Sequence, residues 1–150
     1  MLFRSDDPEV AQWAESERAR VISCASTGLN TAIETALHSL AASGYDLAVI
    51  AHGDLPLAQN FEPLVLDGAI TVIPDHRYDG TNAIVIPTAL AGSFTFRYGH
   101  GSFRRHVVEA IRHSGTVRVY RDPDLARDLD TPEDLDDPHM EEVRAWLRTS

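Results

Sequence analysis

The chain has 150 residues, long enough for one domain with a real core, and carries 13 basic against 23 acidic side chains for a net charge of −10. Such a surface repels nucleic acid, so a phosphate ligand has to be held by a local constellation. The single Cys24 excludes a disulfide framework and a cysteine zinc site, and no apolar run approaches the roughly 20 residues that span a bilayer. Met1 to Asp7 has neither the basic start nor the apolar stretch of a signal peptide, so the expectation is a cytoplasmic protein without a membrane or nucleic-acid partner. Every basic residue is arginine, which excludes lysine-dependent chemistry within this chain.

In chain order, Asp7-Pro8 reads as an N-cap followed by proline at the first helical position, with Val10, Trp13 and Ala14 as a short apolar stripe. Val21-Ile22, within Arg20 to Ala25, is a brief strand candidate. Thr31-x-x-Glu34 has the form of a capping box, and Ile33, Ala36, Leu37 and Leu40 follow at helical spacing until Gly44 stops the helix. Leu47 to Ala51 is a continuous apolar run, the pattern of a strand buried on both faces of a parallel sheet. Ala69 to Ile73 and Ala83 to Ile86 are two further strands around the polar loop Pro74 to Asn82. Phe94 to Tyr98 alternates like a strand with one face partly open. Ser102 to Ser114 reads as an amphipathic helix through Phe103, Val107, Ala110 and Ile111, Val117 to Tyr120 as a strand, and Pro138 to Arg148 as a final helix capped by Asp137. Strands alternating with helices predict one α/β domain over residues 1–150 with a mostly parallel sheet, and ligands in such sheets bind beyond the carboxyl ends of the strands.

Four loops lie in such places. Asp54, in Ala51-His52-Gly53-Asp54-Leu55-Pro56, follows the most apolar strand, where a carboxylate can hold a hard cation such as magnesium with few protein ligands. The loop from Asp75 to Asn82 supplies Gly80 for close backbone approach and the short polar side chains of Thr81 and Asn82. In Tyr98-Gly99-His100-Gly101-Ser102-Phe103-Arg104-Arg105, two glycines run into a helix N-terminus, a natural anion site that also accounts for arginines at the positive end of the helix dipole. In Asp128-Leu129-Asp130-Thr131-Pro132-Glu133-Asp134-Leu135, alternation puts Asp128 and Asp130 on one face of a short strand, where one of them can face a metal from the side opposite Asp54, and leaves Glu133 and Asp134 to the first turn of a helix. His100 and His106 lie near the anion loop, while His38, His113 and His139 read as surface residues. No histidine pair has zinc-ligand spacing beside a third ligand and no Gly-x-Ser-x-Gly elbow occurs, so hydrolase and zinc-enzyme readings are poor.

Taken together, these segments resemble the guanylyltransferases of deazaflavin coenzyme F-420 biosynthesis, which act on phosphoenolpyruvate, 2-phospho-L-lactate or 3-phosphoglycerate. The resemblance runs from Ser5 to Leu135, through Ser5-Asp6-Asp7-Pro8-Glu9-Val10, Gly28-Leu29-Asn30, Asp54-Leu55-Pro56, Gly80-Thr81-Asn82-Ala83 and Tyr98-Gly99-His100-Gly101-Ser102-Phe103 to Asp128-Leu129-Asp130-Thr131-Pro132-Glu133-Asp134-Leu135. It implies a nucleotidyltransferase-like (Rossmann-like) mixed, mostly parallel sheet with flanking helices. It implies that Thr81, Gly99 and Ser102 hold the phosphorylated acid, that Gly28, Leu29 and Asn30 lie against the guanine nucleotide, and that Asp54 and Asp130 are catalytic and hold Mg2+. The reaction implied is attack of the acid's phosphate oxygen on the α-phosphorus of GTP with release of pyrophosphate.

The resemblance departs at the start. Family members begin with a strand and a basic, lysine-containing loop for the triphosphate, whereas this sequence starts where their second strand ends. Two expectations follow: a fragment or mis-started frame of an active enzyme, or a shortened, non-catalytic relative that binds the phosphorylated acid or a partner subunit. In the second, uncovered sheet and helix surfaces predict association into a homo-oligomer. A smaller departure is His52-Gly53 before Asp54, where the family usually has small apolar residues.

Overall fold

The computed structural model describes residues 2–3, 7–21 and 28–149. Strand β1 (Leu2–Phe3) pairs in parallel with β2 (Arg20–Val21), and helix α1 (Pro8–Ser16) connects them. The expected cap is present: the Asp7 carboxylate accepts the Glu9 amide at 2.8 Å, with Pro8 in the first turn. Of the strand candidate Val21-Ile22, Val21 is in β2; Ile22, like Ser5 and Asp6 of the family resemblance, lies outside the described residues.

Helix α2 (Leu29–Ala42) starts two residues before the expected Thr31 cap, with Gly28, at φ 123°, as its N-cap. Thr31 therefore sits in the first turn. The stop at Gly44 is as expected, and its mechanism is visible: Gly44, at φ 80°, donates to Ala41 and Tyr45 donates back to Leu40, a Schellman closure.

The main sheet has the order β3-β5-β4-β6, from β3 (Leu47–Ala51), β4 (Ala69–Pro74), β5 (Thr81–Pro87) and β6 (Thr116–Val119). It is mixed rather than mostly parallel: β3 and β4 both run antiparallel to β5, and only β4 and β6 are parallel. The cause is loop length. Residues 75–80 join β4 to β5 as a hairpin, whereas a parallel return needs a crossover of a dozen or more residues. The apolar run Leu47 to Ala51, expected to be covered on both faces, is an edge strand among the described residues, with Val49 40 % exposed. The strands covered on both faces are β4, throughout, and β5 from Thr81 to Ile86.

Alternation along these two strands feeds two layers. Ile70, Val72, Ile84 and Ile86 pack with Leu37 of α2, Phe94, Phe96 and Ala110 of helix α3 (Ser102–His113). Ile73, Ala83 and Val85 face the other way, onto Leu55, Leu64 and Leu125 from the loops. The last helix begins as a 3-10 turn at Pro138–Met140 before α4 (Glu141–Leu147), and Asp137 caps it by accepting the His139 amide at 2.9 Å. Among the described residues, no helix is long and apolar enough to cross a membrane.

Phe94 to Tyr98 alternates, with Phe94, Phe96 and Tyr98 buried, yet it is not a strand. Side chains take the place of a neighbouring backbone: the amides of Thr95, Arg97 and Tyr98 donate to Glu109 Oε1 (3.2 Å), His106 Nε2 (2.9 Å) and Asn30 Oδ1 (2.7 Å). This also corrects the expected inner face of α3. Ile111 is 62 % exposed, while Ser102, His106, Glu109 and Ala110 are buried, because the polar groups of that face serve this segment and the site beside it.

Candidate active site

The carboxyl ends of β3 and β4 and the start of β5 open onto one cavity of about 580 Å³. Its location matches the rule for ligand crevices in α/β sheets. One wall is acidic, the other carries hydroxyls.

The acidic wall joins two loops. Leu129 donates its amide to the Asp54 carbonyl at 2.9 Å, which sets Asp130 beside Asp54. The segment 128–130 is not the expected strand, since this bond is isolated, but Asp128 and Asp130 both line the cavity. Desolvation, together with the charges of Asp128, Asp54 and Asp134, pushes the Asp130 carboxyl above its ordinary range. Asp54 Oδ1 is buried without a hydrogen-bond partner, and the nearest cation candidate, His52 Nδ1, is 3.9 Å away. Crowded carboxylates with an orphaned oxygen suit a hard divalent cation. Among the described residues, no group of three or more His, Cys, Asp or Glu side chains is placed to hold a metal ion between them.

Asp134 belongs to the same loop but has another job. Its Oδ2 accepts the amides of Asp130 (3.0 Å) and Thr131 (2.7 Å) and the Thr131 hydroxyl (3.1 Å), closing the turn Pro132–Asp136. These donors, the Thr131 amide foremost, hold its carboxyl below the usual range.

The hydroxyl wall is built by Thr81 at the start of β5, Gly99 at φ 108°, and Ser102 at the start of α3. Ser102 Oγ lies 3.4 Å from Thr81 Oγ1. The expected anion site on free helix amides is corrected here, because Asp79 closes that helix end. Its carboxylate accepts the Gly101 amide at 3.0 Å, its carbonyl accepts the Phe103 amide at 3.0 Å, and Ser102 donates to Gly99 at 2.9 Å. The Gly101 amide, aided by His100, holds the Asp79 carboxyl below its ordinary value. Nor do the arginines of the first turn face the cavity: Arg105 donates to the carbonyls of Arg97 and Gly99, bracing the loop. The Thr81 and Ser102 hydroxyls are on this wall, as is the Tyr98 hydroxyl, which is buried without a hydrogen-bond partner. Asn82 also borders the cavity, but its amide is committed to the Leu125 carbonyl at 3.1 Å.

Gly80 shows why the turn between the walls needs glycine. The Asp75 carboxylate accepts the amides of Asp79 (2.9 Å) and Gly80 (2.8 Å), and a Cβ on Gly80 would stand 3.0 Å from Asp75 Oδ2. Gly80→Ala is expected to displace this anchored carboxylate and lower the melting temperature by about 3 °C or more, for a cost near 1 kcal/mol, as read by calorimetry. An unchanged melting temperature would show that Asp75 gives way freely.

Of the residues expected at the site, Thr81, Gly99, Ser102 and Asp130 line one cavity, and Asp54 is bonded to the loop that carries Asp130. Gly28 and Leu29 do not line it; Asn30 is linked to it through Tyr98. His106 and Asp79 are the residues whose roles sequence reasoning missed. The available signal was polarity on the inner stripe of α3, at 102, 106 and 109.

The chain is 34% identical over 141 residues to the phosphoenolpyruvate guanylyltransferase of Rubrobacter xylanophilus, covering 90% of this chain and 68% of that protein. It is 33% identical over 144 residues to the phosphoenolpyruvate guanylyltransferase of Sphaerobacter thermophilus, covering 91% and 68%. With the 2-phospho-L-lactate guanylyltransferase of Methanothermobacter thermautotrophicus it shares 30% identity over 141 residues, covering 90% and 61%. Together with the α/β layers and the two-walled cavity, these likenesses define a nucleotidyltransferase that moves a guanylyl group. The chain belongs to the family described as guanylyl transferase CofC like, whose model matches residues 1–143.

Proposed function

We propose that this protein transfers GMP from GTP to a phosphorylated three-carbon acid (phosphoenolpyruvate, 2-phospho-L-lactate or 3-phosphoglycerate), releasing pyrophosphate, as a step in coenzyme F-420 biosynthesis. The observation that carries this reading is the meeting of a carboxylate wall and a hydroxyl wall in one cavity. The names of the relatives supply the acids phosphoenolpyruvate and 2-phospho-L-lactate.

In this reading Thr81 and Ser102 hold an anionic group of the acid by their hydroxyls, Gly99 lets the chain pass close to it, and Gly28, Leu29 and Asn30 contact the guanine nucleotide. Asp54 and Asp130 would hold Mg2+, which when bound neutralises charge on the phosphates. The acceptor phosphate is already ionised at neutral pH, so the residues of the site need only orient it and keep it in line; no strong general base is called for.

The test is pyrophosphate release by the chain with GTP, Mg2+ and each acid in turn. Turnover with one acid, and a rise in its KM of about tenfold in Ser102→Ala, is the expected result. The absence of release with all three acids would overturn the catalytic reading. A second reading, an acid-binding protein without transfer, rests on the Thr81–Ser102 hydroxyl wall alone. It predicts thermal stabilisation by the acid and none by GTP.

A further inference from the structure

His106 is fully buried in α3, and both of its ring nitrogens are engaged. Nε2 lies 2.9 Å from the backbone nitrogen of Arg97, whose N–H can only donate. Nε2 therefore presents a lone pair, and the hydrogen of the neutral ring sits on Nδ1. That nitrogen is 2.9 Å from Thr81 Oγ1, so Thr81 accepts from it. The hydroxyl hydrogen of Thr81 is then left over. With Ser102 Oγ donating to Thr81 Oγ1 at 3.4 Å, that hydrogen is available to the cavity that both residues line.

With the other tautomer the polarity would reverse. Thr81 would give its hydrogen to Nδ1 and turn only lone pairs toward the cavity, which repel the oxygens of a phosphate or carboxylate. The Arg97 amide forbids that tautomer, because two N–H groups would face each other in a buried space. The ring is also fixed in orientation, packed edge-on against Tyr98 at 4.7 Å and against Phe96 at 6.2 Å.

We propose that His106 is a positioning residue which, through the tautomer imposed by the Arg97 amide, makes the Thr81–Ser102 hydroxyl pair a hydrogen-bond donor to the anionic oxygen of the acid substrate. This rests on the reading of the cavity as the acid site. Burial supports it independently, since desolvation, with Arg105 and His52 nearby and Glu109 opposing, lowers the His106 pKa to about 4 and keeps the ring neutral at physiological pH.

Two measurements test it. Nitrogen-15 NMR of the imidazole at pH 7 should show a protonated Nδ1 and a bare Nε2, the minority tautomer of free histidine; a protonated Nε2, alone or in an imidazolium, overturns the proposal whatever the kinetics. With phosphoenolpyruvate as the probe, His106→Phe should raise its dissociation constant, read by ligand-dependent thermal shift, by about tenfold. His106→Gln, whose amide can donate to Thr81 and accept from Arg97, should restore most of the loss, which a merely packing role would not. If Thr81→Val weakens phosphoenolpyruvate binding and folded His106→Phe does not, the role of His106 is wrong and the acid site stands. If neither Thr81→Val nor Ser102→Ala alters binding, the acid-site reading itself fails.

Discussion

Asp130→Asn should abolish Mg2+-dependent GMP transfer, by about a thousandfold or more, without lowering the melting temperature. Most substitutions at a well-ordered loop cost stability, so this combination is diagnostic. It follows from the surroundings of the carboxylate. Among the described residues Asp130 accepts no hydrogen bond, and its neighbours Asp128, Asp54 and Asp134 are all negative. Asparagine keeps the shape and removes the repulsion; the gain is small because Asp130 is solvent-exposed and screened. Asp54→Asn should lose activity in the same way, since its Oδ1 has no partner to forfeit. Four residues from Asp130, Asp134→Ala should do the opposite, lowering the melting temperature by freeing the three donors it caps while touching catalysis less. A Mg2+-dependent thermal shift, present in the parent and absent from Asp54→Asn and Asp130→Asn, is the companion measurement. Parent-like shifts in both variants would remove these residues from the cation site.

The second large effect is on acid stability. The ordinary histidine pKa of 6.5 falls to about 4 for His106 in the folded chain. Between these values the unfolded chain binds a proton that the folded chain refuses, so unfolding is favoured as pH falls. The stabilisation is complete above pH 6.5 and is lost on the way down to pH 4, amounting to about 3 kcal/mol at 1.36 kcal/mol per unit. The carboxyls of Asp79, Glu109, Asp134 and Asp137, held low in the folded state, lose their own contributions in acid as well. The comparison must therefore be with His106→Gln, which keeps those groups and cannot titrate. Urea denaturation at pH 7 and pH 4 should show the parent losing about 3 kcal/mol more than the variant. Equal losses would mean that His106 takes up its proton without leaving its place.

How far the sequence disclosed this molecule depended on how local each signal was. Asp7-Pro8, Gly44 and Asp137 announce helix ends, because caps are written in residues that touch each other. The loops after β3 and β4 were legible as a site, and Asp130, Thr81 and Ser102 do share a cavity. Strand direction was not legible. The run Leu47 to Ala51 is apolar enough for a covered strand, and nothing within it records that β5 returns antiparallel beside it. Phe94 to Tyr98 misled for a related reason. Period-two burial reports which way side chains point, but only the partners of the amides make a strand, and those partners are Glu109, His106 and Asn30, far along the chain. The same bonds hid His106, whose polarity on an inner stripe makes sense only once Arg97 and Thr81 are beside it.

The bonds around Asp79 have one more consequence. Asp75 grips the amides of Asp79 and Gly80, and Asp79 in turn grips those of Gly101 and Phe103. Thr81 and Ser102, each next to one end of this linkage, are spaced by backbone amides and short carboxylates rather than by long pliable side chains. In the proposed reading, the pair is a fixed gauge for one anionic oxygen and is blind to the rest of the ligand. Acids of different carbon skeleton would register alike on this wall, so the choice among them falls to whatever faces it across the cavity.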